Sequence, residues 1–378
     1  RREGAGRRWS LLLPGFITPR PLSHPARFAG KFHGKGSIVY GNGEKYAGEW
    51  QHGQRHGRGK YTYSDGGNYE GDWSEDRIHG VGTSTYADGN IYDGSWVEGK
   101  IHGRGRLATA KFAYEGDWKN GQKHGSGRCE YFDNGDAYDG DWEDDRWHGS
   151  GEWTLRGEDG QVREKFVGAM DMGRMHGNGT YTYSDGAVYT GDWVDNKMHG
   201  AGSYAFANGN VYEGAFHEDA KEGRGTLKYV DGEQYDGDWQ GDKAHGQGTL
   251  TYASGDAYDG SWLCGVKAGD GAMTFANGDV YEGQWEADAA HGSGRLVNAN
   301  GDVYDGAWRR NLRHGEGRFA QSGGHTYVGA FKGGAKHGAG TLTLASGEAV
   351  SGTWADGEIA GQVTFTHAPN SPWLNPRL

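Results

Sequence analysis

A motif of the form Y-x-G-x-W recurs along this chain at a fixed interval, and that interval constrains the fold more than any other feature. Its opening residues are Tyr46, Tyr69, Tyr92, Tyr114, Tyr138, Phe166, Tyr189, Tyr212, Tyr235, Tyr258, Tyr281, Tyr304, Tyr327 and Val350. Ten of the thirteen intervals are 23 residues, and the three exceptions are consecutive at 22, 24 and 28. Such a period marks a supersecondary unit that stacks on its neighbours, because one unit alone cannot bury its apolar face. A shortened copy at residues 28–36 precedes the array.

Each unit reads as two strands. In residues 69–91, Tyr69, Gly71 and Trp73 alternate with Glu70 and Asp72, the period of two that marks a strand with one apolar face. After a polar loop at 74–78, His79, Gly80 and Gly82 open a second segment. Its sister copies alternate too, as at Leu227 and Tyr229, or Met273 and Phe275. Most junctions between units carry Asn-Gly or Asp-Gly, such as Asp65-Gly66, Asn208-Gly209 and Asn300-Gly301. Those pairs predict type I′ hairpin turns with positive φ at both central residues. All seven prolines lie outside the array, as an uninterrupted ladder requires. The fold class expected is all-β: an elongated antiparallel β-meander solenoid of tandem hairpins in a single layer. Two strands per unit give about 28 strands and, at ~4.8 Å each, a rod about 130 Å long.

Composition says what holds so thin a sheet together. Glycine supplies 73 of 378 residues and apolar residues only 34%, yet 15 Trp and 22 Tyr are present. Disordered chains are poor in aromatics, so rings lying over glycines are the expected source of stability. A net charge of −12 excludes nucleic acid as a partner, since phosphate binding needs a basic face. Cys129 and Cys264 are too few and too far apart for a disulfide framework or zinc site. No apolar run reaches the ~20 residues of a membrane helix.

The stretch 69–82 resembles an active site, with four acids and a histidine in a dozen residues, but repetition argues otherwise. His79 recurs at His56, His102, His124, His148, His176, His199, His245, His291, His314 and His337. Equivalent side chains on successive units stand about 9.6 Å apart, whereas zinc ligands lie ~2.0 Å from one ion. A structural role follows, with each imidazole bonding an adjacent loop or packing on a ring. Acid pairs like Glu70 and Asp72 also recur, whereas a catalytic site is singular. H-G-x-G lacks the G-K-[ST] ending of a phosphate loop. No catalytic residue, metal site or cofactor is expected.

Two surface features invite binding instead. A basic residue stands one or two positions before the His position in most units, and Arg77, Lys100, Lys123, Arg146, Lys197 and Lys243 are candidate contacts to anionic lipid. Acids in the same loops, including Glu75, Asp76, Glu98, Asp144 and Asp145, favour local pairing instead. The lengthened interval between Tyr138 and Phe166 reads as a longer hairpin turning at Asp159-Gly160, or as an elbow that binds a partner. Trp147 and Trp153 beside it, with Trp9 and Trp373 in the tails, are candidate partner contacts.

Y-x-G-x-W, five residues, then H-G-x-G resembles the MORN (membrane occupation and recognition nexus) repeat over residues 28–365. Departures are Phe166 and Met170 for Tyr and Trp, Phe216 and Phe331 for Trp, and Glu222, Ala268 and Ala360 for His. The resemblance implies a β-hairpin array of the kind found in radial-spoke head proteins, cytoskeletal scaffolds, junctophilins, lipid kinases and SET-domain methyltransferases. These 378 residues hold no kinase or SET domain. The expectation is a non-enzymatic scaffold or spacer subunit of a large assembly, axonemal or cytoskeletal, located in the cytoplasm, cilium or cytoskeleton. Its partners would be other protein subunits, with self-association through end strands. One alternative is an accessory subunit of a mitochondrial or plastid membrane complex, because residues 1–27 hold six Arg and one Glu, as transit peptides do. Another is a peripheral tether binding anionic lipid. The organisation expected is an Arg/Pro-rich arm (1–27), the array (28–365) and a Pro-containing tail (366–378).

Overall fold

The computed structural model describes residues 25–369, so Trp9 and Trp373 lie outside the described residues. Among these, thirty strands and no helix are present. Two compact units divide the chain, one ending at Arg146 and the other starting at Trp147. Within each, chain-consecutive strands pair antiparallel, which is the meander read from the repeat. The strands beyond the expected number are Ala26–Phe28 and Lys31–Val39, a hairpin formed by the shortened first copy.

One repeat shows how the sequence builds the hairpin. Strands Asn68–Ser74 and Arg77–Thr85 are joined by a two-residue turn, Glu75-Asp76, with φ of 49° and 65°. Positive φ at both positions is type I′ geometry, and it recurs at Asp144-Asp145, Asp195-Asn196 and Gly333-Gly334. The polar loop expected at 74–78 therefore shrinks to two residues, and Ile78 lies opposite Trp73. Gly71 faces Gly82 across the pair, and the register then shifts as the chain passes Gly80, whose φ is 62°. That shift is a β-bulge, which explains the first glycine of H-G-x-G.

The Asp-Gly and Asn-Gly junctions differ from the type I′ expectation. At Tyr63–Gly67 only Gly66 has positive φ, the Gly66 N–H donates to the Tyr63 carbonyl, and Asp65 Oδ1 accepts the Gly67 N–H at 2.9 Å. This is a turn closed by a left-handed glycine, the three-residue hairpin with a G1 bulge. Asp or Asn is selected there for its side-chain acceptor, not for positive φ. The junction at 109–112 lacks the dipeptide, and the Thr109 hydroxyl accepts from the Lys111 and Phe112 amides instead. The lengthened repeat forms a longer hairpin, Arg146–Arg156 with Val162–Asp171, turning at Asp159-Gly160 with an irregularity at Leu155.

The core is a ladder of rings on one face. Tyr69 is fully buried, its hydroxyl donates to the Asp72 carbonyl at 3.0 Å, and its ring covers Gly71 and Gly82. Trp73 and Trp96 each meet Tyr69 edge-on with centroids 5.5 Å apart. Trp96 Nε1 donates to the Gly82 carbonyl at 3.1 Å, so the glycine beneath one repeat's tyrosine is also the acceptor for the next repeat's tryptophan. The pattern runs from Trp50 to Trp142 in the first unit and from Phe166 to Trp354 in the second. Edge-to-face pairs contribute about 0.5–1.5 kcal/mol each beyond area burial. Where the ladder begins, buried Pro25 lies against Gly36 in place of a ring.

Candidate functional site

The basic row read from the sequence separates into two rows, because strand period two turns adjacent residues to opposite faces. Residues immediately before the His position point onto the ring ladder. Arg55 lies over Trp73 with 4.3 Å to the centroid, Lys123 over Trp142 at 4.6 Å, and Lys267 over Trp285 at 5.2 Å. Lys221, Arg313 and Lys336 take the same place. Burial pushes the Arg313 guanidinium and the Lys336 ammonium below their ordinary ranges. Lys123 thus stands apart from the other lipid-contact candidates.

Residues two before the His position start the returning strand on the opposite face. Arg77 reaches Glu98 at 3.2 Å, Arg174 reaches Asp195 at 2.8 Å, and Lys197 reaches Glu218 at 3.2 Å. Each pair links the turn regions of adjacent repeats. Lys100, Arg146 and Lys243 occupy the same register and are exposed. Exposed pairs of this kind add little stability, about 0–1 kcal/mol. They also leave this row nearly neutral wherever a pair forms.

Inter-repeat contacts explain the acids better than catalysis does. Asp76 Oδ1 accepts both the backbone N–H of Arg55 at 2.9 Å and its Nε at 3.1 Å, and Asp145, Asp219 and Asp242 accept the equivalent backbone N–H. Asp72, read from the sequence as solvent-facing beside Glu70, is half-buried. Its Oδ2 accepts the Val81 N–H at 3.0 Å, which secures the bulge. Asp117, Asp192 and Asp238 do the same, so this acid is structural. Glu70 remains exposed and pairs with Lys60 at 3.1 Å.

His79 is exposed, whereas His102 Nδ1 accepts the Asn120 N–H at 3.4 Å and His291 Nδ1 lies 3.2 Å from Glu286. Among the described residues, no group of three or more His, Cys, Asp or Glu side chains is placed to hold a metal ion. Trp147 and Trp153 come together, centroids 5.7 Å apart, both half-buried. Trp147 occupies the inward position that Arg55 and Lys123 take in other repeats. The sequence signal that distinguishes these positions is the one-residue difference in spacing to the histidine.

A tandem array of β-hairpins with a repeated aromatic core defines the class as an open β-repeat protein. The MORN repeat family matches fourteen segments, spanning 28–110, 114–135, 138–157 and 166–349, and the chain belongs to that family. The first matched segment, 28–45, includes the shortened copy, and the last ends before the copy opened by Val350. MORN repeats are modules of protein or lipid interaction.

Compared with curated proteins, the chain has no match. Among solved structures it is similar to the SAS-4 TCP domain of Drosophila melanogaster in complex with a proline-rich motif, at 11% identity and TM-score 0.27, covering 50% of this chain and 90% of that one. It is also similar to a mutant TCP10 domain of Danio rerio CPAP, at 10% identity and TM-score 0.30, covering 57% and 95%. A virginiamycin B lyase from Staphylococcus aureus shares 12% identity at TM-score 0.13, covering 76% and 91%. Likenesses this slight carry no argument about function.

Proposed function

We propose that the chain is a non-enzymatic scaffold or spacer subunit of a large assembly, axonemal or cytoskeletal in kind. The observation that carries this reading is the use of the recurrent polar residues. Asp76 accepts from a turn of the preceding repeat, Asp72 secures the bulge of its own hairpin, His102 accepts from the next repeat's turn, and Arg55 lies over the next repeat's ring, with sister residues doing the same in several other repeats. Side chains committed to stacking leave each unit a series of equivalent surfaces, suited to holding partners at set separations along it. The irregular repeat, with Trp147 on Trp153, is where one partner can be told from another.

Purification of the tagged chain, with and without residues 1–27, tests the reading. Recovery of axonemal or cytoskeletal subunits in stable proportion with both forms supports it. Recovery of mitochondrial or plastid complex subunits, lost on removing 1–27, would favour the organellar alternative. The lipid alternative has less support, because Arg77, Arg174 and Lys197 are already engaged by acids.

A further inference from the structure

Six inward positions carry a cation, and the others carry Ile, Met, Trp or, at Ala244 and Ala290, a side chain too small to fill the space. Lys267 Nζ sits 5.1 Å from the Tyr252 centroid, 5.2 Å from Tyr258 and 5.2 Å from Trp285. Lys221 makes the same three contacts with Phe206, Tyr212 and Trp239, and Lys123 with Phe112, Tyr114 and Trp142. Each cage takes one ring from the preceding junction, one from its own motif tyrosine and one from the next repeat's aromatic rung. One repeat beyond Lys267, those rings are Phe275, Tyr281 and Trp308, but the residue that would carry the ammonium is Ala290.

The cage keeps its shape without its cation. Tyr281 and Trp308 remain edge-on at 5.1 Å, and all three rings line a groove of ≈ 450 Å³ that continues past Ala290 and Asp279 to Asp288 and Lys267 of the filled cage. Asp279 is fixed by the Ala299 N–H at 2.8 Å and by Asn277 Nδ2 at 3.0 Å, and its carboxyl is held below the usual carboxylate range by those bonds. Its counterpart Asp256 is held down first by the Ala276 N–H and, more weakly, by the Lys267 charge. The acid therefore belongs to the cage, and at Ala290 it has rings around it but no cation from this chain's equivalent position.

We infer that the Phe275–Tyr281–Trp308 cage binds a lysine side chain of a partner protein, inserted in trans where Lys221 and Lys267 insert in cis. Rings attract an ammonium through their quadrupole, most strongly when it is desolvated. An anionic carboxylate adds charge complementarity, and the net charge of −12 steers basic partners toward the chain. Ala244 repeats the substitution among Tyr229, Tyr235 and Trp262, so the readout must be local to Trp308.

This inference deepens the scaffold reading, yet small-molecule probes test the cage alone, so its failure is distinguishable from failure to enter an assembly. NMR of the full chain follows the Ala290 methyl and Trp308 indole during titration with n-butylammonium, tetramethylammonium and n-butanol. Saturable shifts with n-butylammonium, little response to n-butanol, and weaker binding in Asp279→Asn are expected. Ala290→Lys should abolish the Trp308 response by filling the cage in cis. Ala290→Met, a residue type already used at this position by Met175 and Met198, should block it without charge and serves if the lysine variant fails to fold. Equal response to n-butanol would reduce the cage to an apolar groove. Response to tetramethylammonium alone would assign it to a quaternary headgroup, and shifts persisting in both filled variants would place binding elsewhere. Any of these three results, or no shift with n-butylammonium, overturns the inference.

Discussion

The Tyr69 hydroxyl occupies the space in which a side chain at Gly82 would begin: a Cβ there would lie 2.4 Å from that oxygen and 2.6 Å from Cζ of the ring. Gly82→Ala must therefore displace the ring and loosen its edge contacts with Trp73 and Trp96. A cost of about 1–3 kcal/mol is expected, as for overpacking elsewhere. Gly323→Ala, where nothing lies within 4 Å, should be near neutral. Chemical denaturation compares the two, and equal midpoints would contradict the ring-over-glycine account.

Removing only the hydroxyl should cost less than removing the ring. Phe166 already stands at the tyrosine position and meets Trp193 edge-on at 5.7 Å. Tyr69→Phe should lose about 1 kcal/mol with the hydrogen bond to the Asp72 carbonyl. Tyr69→Ala should lose about 3–5 kcal/mol through the cavity it leaves. Urea unfolding of both variants checks the order.

Alkaline pH should melt the ladder. Burial pushes the phenols of Tyr189, Tyr235, Tyr281 and Tyr304 up to about 12, and those of Tyr46 and Tyr69 higher still. The ordinary value, ~10, applies to the unfolded chain. Folded pKa values above unfolded ones mean that this stability is complete below about pH 10 and is lost as pH rises through the folded values. Tyrosinate absorbance and β-sheet circular dichroism should change together between about pH 10 and 12. Titration of these tyrosines near pH 10 without loss of the sheet would be the wrong outcome.

The two rows of bases should differ in reactivity. Lys267 is 9% exposed under its rings, whereas the Lys197 side chain is 48% exposed beside Glu218. Acetylation under native conditions, read by mass spectrometry, should modify Lys197, Lys100 and Lys243 well before Lys267 and Lys221. Uniform modification would mean that the inward cations do not rest on the ladder.

Much of this architecture was legible because a period of 23 residues repeats each clue. Tyr69, Gly71 and Trp73 marked the packed face through alternation, and a glycine excess beside tryptophan implied rings on backbone. The turns were legible in place but exchanged in type: Glu75-Asp76 takes the type I′ geometry, because two residues must join two twisted strands, whereas Asp65-Gly66 closes a longer turn. The cation cages were missed. Spacing to the histidine was read as one row, while a one-residue offset on a strand moves Lys123 to the face opposite Arg77. Asp72 was misread for a related reason, since the bulge at Gly80 that presents Val81 to its carboxylate has no signature in alternation alone.

The central claim is that the chain works as a stoichiometric structural subunit. Sedimentation of an endogenously tagged chain from gently lysed cells, with quantitative mass spectrometry across the gradient, tests it most directly. The account predicts a peak in a large particle, with the chain at a fixed ratio to a small set of other subunits. A peak at the position of the free chain, with no protein in constant proportion to it, would contradict the account.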